Sequence, residues 1–357
     1  MRQLLAVLLV ALSFGGCAPQ PAAPTVTMAA IVLSADAPVS LDRPNQELVA
    51  AWPGTRLDPE DVLVPSGSVT VLCPGPELVV VAIRKRPCPD APGRLRSGSM
   101  EFDMISRGAL PPVNAPYLLA PRASLLLDPR PALEWNDPSG GPYDVELRAG
   151  ADLIWLALGV PGPRMDYPAA ERELQPGRLY TLLVTDTQTG MRSDDSPALA
   201  TDVRLASVAL RTATANIRVA LADELAELDP VLLDLAIAML YLELEEDGLR
   251  LYTEAEVLLN RAAAPLDSPP VWNSLGDARL QTSLPREAAD AFERGLASAR
   301  RLADPIGQAD ALVGRWRALG AQSDFDEAVA LYNANGVPLQ AQALREELAG
   351  VVTTPTP

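Results

Sequence analysis

Residues 271–292, VWNSLGDARLQTSLPREAADAF, decide how this chain of 357 residues is read. Trp272, Leu275 and Gly276 recur at three- and one-residue steps that keep them on one helical face. Ala288 and Phe292 lie four apart on a second such face. Two small residues, Gly276 and Ala288, let a pair of antiparallel helices approach closely, and the rings of Trp272 and Phe292 fill the gaps between them. The second-helix pattern returns as Ala255-x-x-x-Leu259 before this stretch and as Ala328-x-x-x-Tyr332 after it, at spacings of 33 and 40 residues. Gly314 answers Gly276 in the third unit.

The skeleton Trp272-x-x-Leu275-Gly276 followed by Ala288-x-x-x-Phe292 resembles the tetratricopeptide repeat, whose period is about 34 residues. The resemblance implies three helical hairpins stacked as a solenoid over residues 202–350, with a concave face built largely by first helices. Arg279 and Arg317 stand where that family usually has a first-helix tyrosine, and residues 243–248 make the first unit's turn longer. An unrelated helical bundle is the alternative reading. Asn273, Asp277 and Gln281 lie four apart, on the side of their helix opposite Leu275, and Arg315 joins them from the third unit. These four are the expected groove for a protein or peptide partner, against the plainer reading that they are solvated surface.

Proline divides the chain. Of 35 prolines, 26 lie in residues 1–205 and seven in residues 206–350. Because an interior proline costs a helix about 3 kcal/mol, the first region is read as mainly β and the second as helical. Strands are expected at residues 29–34, 69–73 and 78–83, the last two joined at Pro74-Gly75-Pro76. Within residues 54–75, Gly54, Leu57, Asp61 and Gly67 resemble FecR-like β domains of bacterial envelopes, with Glu60-Asp61 in place of the usual Gly-Asp. Further strands are expected at residues 124–127, 132–136, 143–148, 153–158 and 179–185, forming a β-sandwich around Trp135. The run Leu174-Gln175-Pro176-Gly177-Arg178-Leu179-Tyr180 resembles the L-x-P-G-x-x-Y step of fibronectin type III domains, which implies that the Tyr180 hydroxyl bonds backbone a few residues upstream. From Thr201 the period turns helical, and Asp229-Pro230 starts a further helix.

The resulting fold class is multidomain β then α. An N-terminal β domain spans residues 29–116, a sandwich 117–201 and helical repeats 202–350, with a disordered tail at 351–357. The first 28 residues carry an address. An apolar run at residues 4–14, behind Arg2, has the length of a signal-peptide core and falls short of the roughly 20 residues a membrane helix needs. Phe14-Gly15-Gly16-Cys17 resembles the lipobox of bacterial lipoproteins, which implies removal of residues 1–16 and lipidation of Cys17. Residues 17–28 then form a proline-rich tether that holds the protein on the outer face of a membrane. An ordinary cleaved signal and an uncleaved anchor are the alternatives. Cys73 and Cys88 remain as an even pair in an oxidising compartment, read as a disulfide, with two free thiols as the alternative.

Composition narrows the chemistry. A formal charge of −17 argues against nucleic acid, whose phosphates need a basic footprint. There is no histidine, which removes Ser–His and Cys–His pairs and histidine-ligated zinc. No phosphate-binding glycine loop occurs, and Asp194-Asp195, Glu245-Glu246-Asp247 and Asp324/Asp326-Glu327 read as solvated charge rather than catalytic pairs. The expectation is a non-enzymatic protein without cofactor or metal. Residues 206–350 hold 12 arginines against 23 acidic residues, so a basic partner suits them. The alternative is a carbohydrate- or cell-wall-binding protein that uses its β domains. The whole order resembles envelope proteins of bacteria such as cyanobacteria and Chloroflexi, a resemblance that supplies no activity.

Overall fold

Alternating β-branched and apolar residues make the first strands. The computed structural model describes residues 30–43, 46, 48–73, 77–81, 84–88, 114–194 and 202–353. Cys17, the leader at 1–16, the tether at 17–28 and the turn Pro74-Gly75-Pro76 lie outside the described residues. The N-terminal β region contains β1 (Ala30–Ala35), β2 (Val39–Asp42), β3 (Val49–Ala51), β4 (Arg56–Leu57), β5 (Val62–Pro65), β6 (Val69–Cys73) and β7 (Glu77–Val81). They form two small sheets, ordered β4-β1-β6-β7 and β3-β2-β5. β6 and β7 pair antiparallel from Val69↔Val81 to Cys73↔Glu77, the hairpin that the sequence suggests. Beyond it Lys85 bridges back to Leu63, and this return brings Cys88 to Cys73 in a disulfide with Cα atoms 5.6 Å apart. Closing a loop of 15 residues stabilises the fold by about 3 kcal/mol in the chain-entropy account. Asp61 is buried, accepts from the Asp58 N–H at 2.8 Å and pairs with Arg43 at 3.2 Å.

Two facing sheets follow. Their strands are β8 (Leu118–Ala120), β9 (Ser124–Leu126), β10 (Ala132–Trp135), β11 (Tyr143–Ala149), β12 (Asp152–Val160), β13 (Arg164–Asp166), β14 (Leu179–Asp186) and β15 (Asp202–Leu205). The orders are β13-β10-β8 and β12-β11-β14-β15-β9. Leu118, Leu133 and Trp135 of the first sheet meet Val145, Leu147, Leu182, Val184 and Val203 of the second in one core. The Trp135 ring meets Tyr143 edge-on at 5.6 Å, an arrangement aromatic pairs favour. The Tyr180 hydroxyl accepts from the Gln175 N–H at 2.8 Å, five residues upstream.

One expectation is corrected here. Residues 202–205 are a strand, not the start of a helix, so the helical region begins at α1 (Val208–Glu224) behind its N-cap Ser207. Val203 and Leu205 alternate into the core of the two facing sheets while β15 pairs with both β14 and β9, and that burial overrides the local helical spacing.

The helices continue as α2 (Pro230–Glu243), α3 (Tyr252–Leu266), α4 (Pro269–Gln281), α5 (Pro285–Arg301), α6 (Pro305–Leu319), α7 (Gln322–Ala334) and α8 (Pro338–Thr353). A short hairpin, β16 (Glu245–Glu246) with β17 (Leu249–Arg250), fills the long turn between α2 and α3. Proline opens α2, α4, α5, α6 and α8, at the helix start where its missing N–H costs nothing. Each helix packs on its neighbours in sequence, and α4 also touches α6. The C-terminal helix runs to Thr353, three residues into the expected tail, and residues 354–357 lie outside the described residues.

Phe292 is the pivot of this packing. A Cβ added at Gly276 of α4 would lie 2.6 Å from its ring, and one at Gly314 of α6 would lie closer still, so a single ring fits between two bare backbones. Gly314→Ala is therefore expected to destabilise the protein by about 1–3 kcal/mol through overpacking. Phe292→Leu in the same background should recover part of that loss. Urea denaturation of the two single variants and the double variant reads the coupling, and strictly additive effects would show that the contact is not shared.

Candidate functional site

The start of α4 fixes the expected groove. Ser268 precedes Pro269 and Pro270, and the helix then commits Val271, Trp272, Leu275, Gly276 and Ala278 to burial. Asn273, Asp277 and Gln281 are left for other faces, and the structure separates them. Asn273 turns toward α5, where a Cβ on Gly295 would lie 2.5 Å from its Oδ1. Arg315 is tied to the same side of the layer, pairing with Glu293 of α5 and, at 3.3 Å, with Asp324 of α7. Gln281 is half-buried one turn beyond Asp277. Only Asp277 stands exposed. The protein packed nearby limits the hydration of its carboxyl without covering it, and its pKa is raised to about 6. Arg317 of α6 and Arg56 of β4 pull against this shift, and Asp310 of α6 adds to it.

Arg56 belongs to the N-terminal β region, and its presence here is what sequence reasoning missed. That region lies against the helices. Ile31, Leu33 and Leu72 join the core that α2 supplies. Arg56 pairs with Glu243 at the end of α2 at 2.5 Å. The turn at residues 52–55 plugs into the starts of α4 and α6. The Trp52 indole N–H donates to Asp304 Oδ2 at 2.9 Å, and Ser268 Oγ donates to the Pro53 carbonyl at 2.6 Å. Gly54, at a φ of +88°, comes so near that a Cβ would meet Val271 Cγ2 at 2.9 Å. A side chain there would have both the wrong backbone and no room. The one signal in sequence was Trp52-Pro53-Gly54-Thr55, a large apolar ring in a turn that a solvated loop has no reason to carry.

The second set of facing sheets holds the opposite starts, those of α3 and α5. The Tyr117 hydroxyl donates to Glu287 Oε1 at 2.6 Å, and the Leu127 N–H donates to Glu254 Oε1 at 2.8 Å. Ser124 Oγ donates to the Arg250 carbonyl at 3.0 Å, and Arg204 pairs with Asp247 at 2.7 Å. The Ser207 N–H donates to Glu246 at 3.0 Å. The acidic run is thus spent on local pairs: Glu245 on Arg250 within the hairpin, Glu246 on the N-cap of α1 and Asp247 on Arg204 of β15. Arg122 is fully buried in this seam and donates to the Leu118 carbonyl at 2.9 Å. Burial lowers its pKa to about 10, opposed by the nearby Glu287 carboxylate and Tyr117.

Among the described residues no group of three or more acidic or cysteine side chains is placed to hold a metal ion. No helix among them is long and apolar enough to cross a membrane. No protein-family model matches the chain, and no curated protein matches it in sequence.

Burial pushes the Glu254 carboxyl up to about 7, against the stabilising bond from the Leu127 N–H. The folded protein therefore holds this proton more tightly than the unfolded chain does. Its contribution to stability is full below the ordinary carboxylate value of about 4.5 and is lost as pH rises through about 7. Glu254→Gln keeps an acceptor for Leu127 and removes the titration. Denaturation midpoints should fall between pH 5 and pH 8 in the parent by an amount worth about 1–3 kcal/mol, with a flatter response in the variant. Equal slopes would show that Glu254 is not the titrating group.

Proposed function

We propose that this protein is a lipid-anchored, extracytoplasmic scaffold that binds a basic protein or peptide segment where its N-terminal β region meets its helices. The observation that carries the reading is the exposed Asp277 on α4, acted on by Arg56 from β4 and by Arg317 and Asp310 from α6. Arg56 is engaged by Glu243, and Arg317 by Glu347 at 2.9 Å. Asp310 accepts from the Tyr332 hydroxyl at 2.5 Å. Four carboxylates therefore surround two guanidinium groups, and the balance favours a cation. The helices are read as tetratricopeptide-like repeats because Gly276, Gly314 and Phe292 pack as that skeleton requires. The facing sheets are read as fibronectin type III-like from the Tyr180 hydroxyl bond, and residues 29–116 as FecR-like with Leu57 and Asp61 in its core. The anchor rests on the Gly15-Gly16-Cys17 ending of the leader.

Carbohydrate or cell-wall binding by the β modules has less support. A sugar ring commonly stacks on an exposed aromatic face. Trp135, Trp155, Trp272 and Trp316 are buried, and Trp52 is held by Asp304.

A photo-crosslinking side chain placed at Gln281 in cells is expected to capture a partner that the same group at Arg300, exposed on α5, does not. Asp277→Arg should weaken that capture about tenfold or more by bringing like charges together. Equal capture from both positions, or indifference to Asp277→Arg, would reject the groove. In the same cells Cys17→Ser should release the protein from the membrane or leave its leader uncut. An unchanged mass together with unchanged detergent partitioning would reject the anchor.

A further inference from the structure

Arg84-Lys85-Arg86 is the one place in the sequence where three basic residues adjoin, and Lys85 is the only lysine in a chain of formal charge −17. All three are exposed. The fold pins them. Lys85 exchanges both backbone hydrogen bonds with Leu63, at 2.9 and 3.1 Å, and Cys88, two residues past Arg86, is bonded to Cys73. Arginines elsewhere are largely spent on carboxylates, as Arg56, Arg279 and Arg317 are. Arg84 pairs with Asp42, whereas Lys85 and Arg86 meet no carboxylate among the described residues. Two cations thus stand uncompensated on an acidic protein.

Strand register places this run near the point where the chain enters the fold. β1 begins at Ala30, and its Ile31 pairs with Leu72 of β6. Cys73 follows Leu72, and its Cα lies 5.6 Å from that of Cys88. Counting through these neighbours keeps Arg86 within about 25 Å of Ala30. Ala30 in turn stands 13 residues after Cys17, a span of at most about 45 Å when extended. A lipid on Cys17 and the basic run can therefore reach one membrane surface together.

We propose that Arg84-Lys85-Arg86 is a second membrane contact, which binds the anionic phospholipid headgroups of the membrane that holds the anchor. The proposal rests on the lipid-anchored reading. Phosphate groups suit ammonium and guanidinium donors, and each cation near an anionic surface strengthens attachment about fivefold. The same surface repels the acidic helices, where residues 206–350 hold 12 arginines against 23 acidic residues. Attraction at one short run and repulsion elsewhere select one way for the anchored protein to stand. A soluble anionic polymer fits less well, because nothing holds it within reach of the run.

The test uses the full processed chain in vesicles of phosphatidylcholine, either alone or mixed with phosphatidylglycerol. An uncharged acylating ester modifies exposed amines, and peptide mass spectrometry reads the one lysine. Acylation of Lys85 is expected to be about fivefold slower or more on the anionic vesicles than on the neutral ones. High salt should abolish the difference. Leu158→Lys places a reference amine at an exposed position of β12, in the sheets that grip the opposite helix starts, and it should react equally on both vesicles. Arg86→Glu should remove most of the protection of Lys85 and keep the parent's thermal unfolding. A chain that floats with both vesicles yet shows equal Lys85 acylation on each overturns the proposal and leaves the anchor standing. A chain that floats with neither rejects the anchor and the proposal together. Protection by pyrophosphate in detergent that equals protection on anionic vesicles would mark a free-anion site and overturn the membrane contact. So would protection that survives Arg86→Glu or that the Leu158→Lys amine shares.

Discussion

One buried carboxylate carries two obligations on which the arrangement of modules depends. Asp304 Oδ1 accepts from the Gly307 N–H and so starts α6, while Oδ2 accepts the Trp52 indole N–H and so holds the N-terminal β region. A helix start leaves N–H groups without partners, and a carboxylate there satisfies one of them while facing the positive end of the helix dipole. Burying Asp304 is tolerable because both oxygens are bonded. Desolvation still raises its pKa, with the Gly307 and Trp52 bonds pulling the other way. Removing the indole would leave half of a buried carboxylate unmet, a loss larger than the value of one hydrogen bond.

The same logic repeats at the other helix starts. Consecutive helices joined by short loops run antiparallel, so the starts of α4 and α6 lie at one end of the helical layer and those of α3 and α5 at the other. The β region grips the first end through Ser268 and Asp304. The facing sheets grip the second through Glu254, Glu287 and Thr253, whose N–H donates to Ser124 Oγ at 3.2 Å. Held at both ends, the helices have little freedom to change the angles between them. Four acidic side chains serve these seams: Asp247, Glu254, Glu287 and Asp304 each bond to a β module.

The elements were legible because each obeys a local rule. The strands at 69–73 and 179–185 are short runs rich in β-branched and apolar residues, Trp135 and Tyr180 are rings that a core accommodates, and Gly276, Gly314 and Phe292 mark a close helix approach. Where a local rule and a distant contact disagreed, the distant contact won. Residues 202–205 have helical spacing, yet their two apolar side chains complete the core of the facing sheets. The residues of the proposed groove are less local. Asp277 is where helical spacing puts it, but Asn273 and Arg315 answer to α5 and α7, and no pattern within α4 or α6 announces those partners. Arg56 was invisible to that reasoning because it lies 221 residues from Asp277 in sequence. A docked module is a property of two surfaces, and neither one encodes the other.

Docking also limits what the proposed groove accepts. An open stack of helical hairpins offers its whole inner face, long enough for an extended peptide or a helix. Here Ile31, Leu33 and Leu72 are packed into the helical core, and the turn at residues 52–55 closes the starts of α4 and α6. Arg56 and Arg317 both act on Asp277, and both are already held by carboxylates. A ligand entering this space gains little from apolar burial and much from a positive charge placed at Asp277. The fitting partner is therefore a short basic segment or the tip of a loop, and its recognition is electrostatic in origin. Such binding weakens as salt shortens the reach of the acidic cluster.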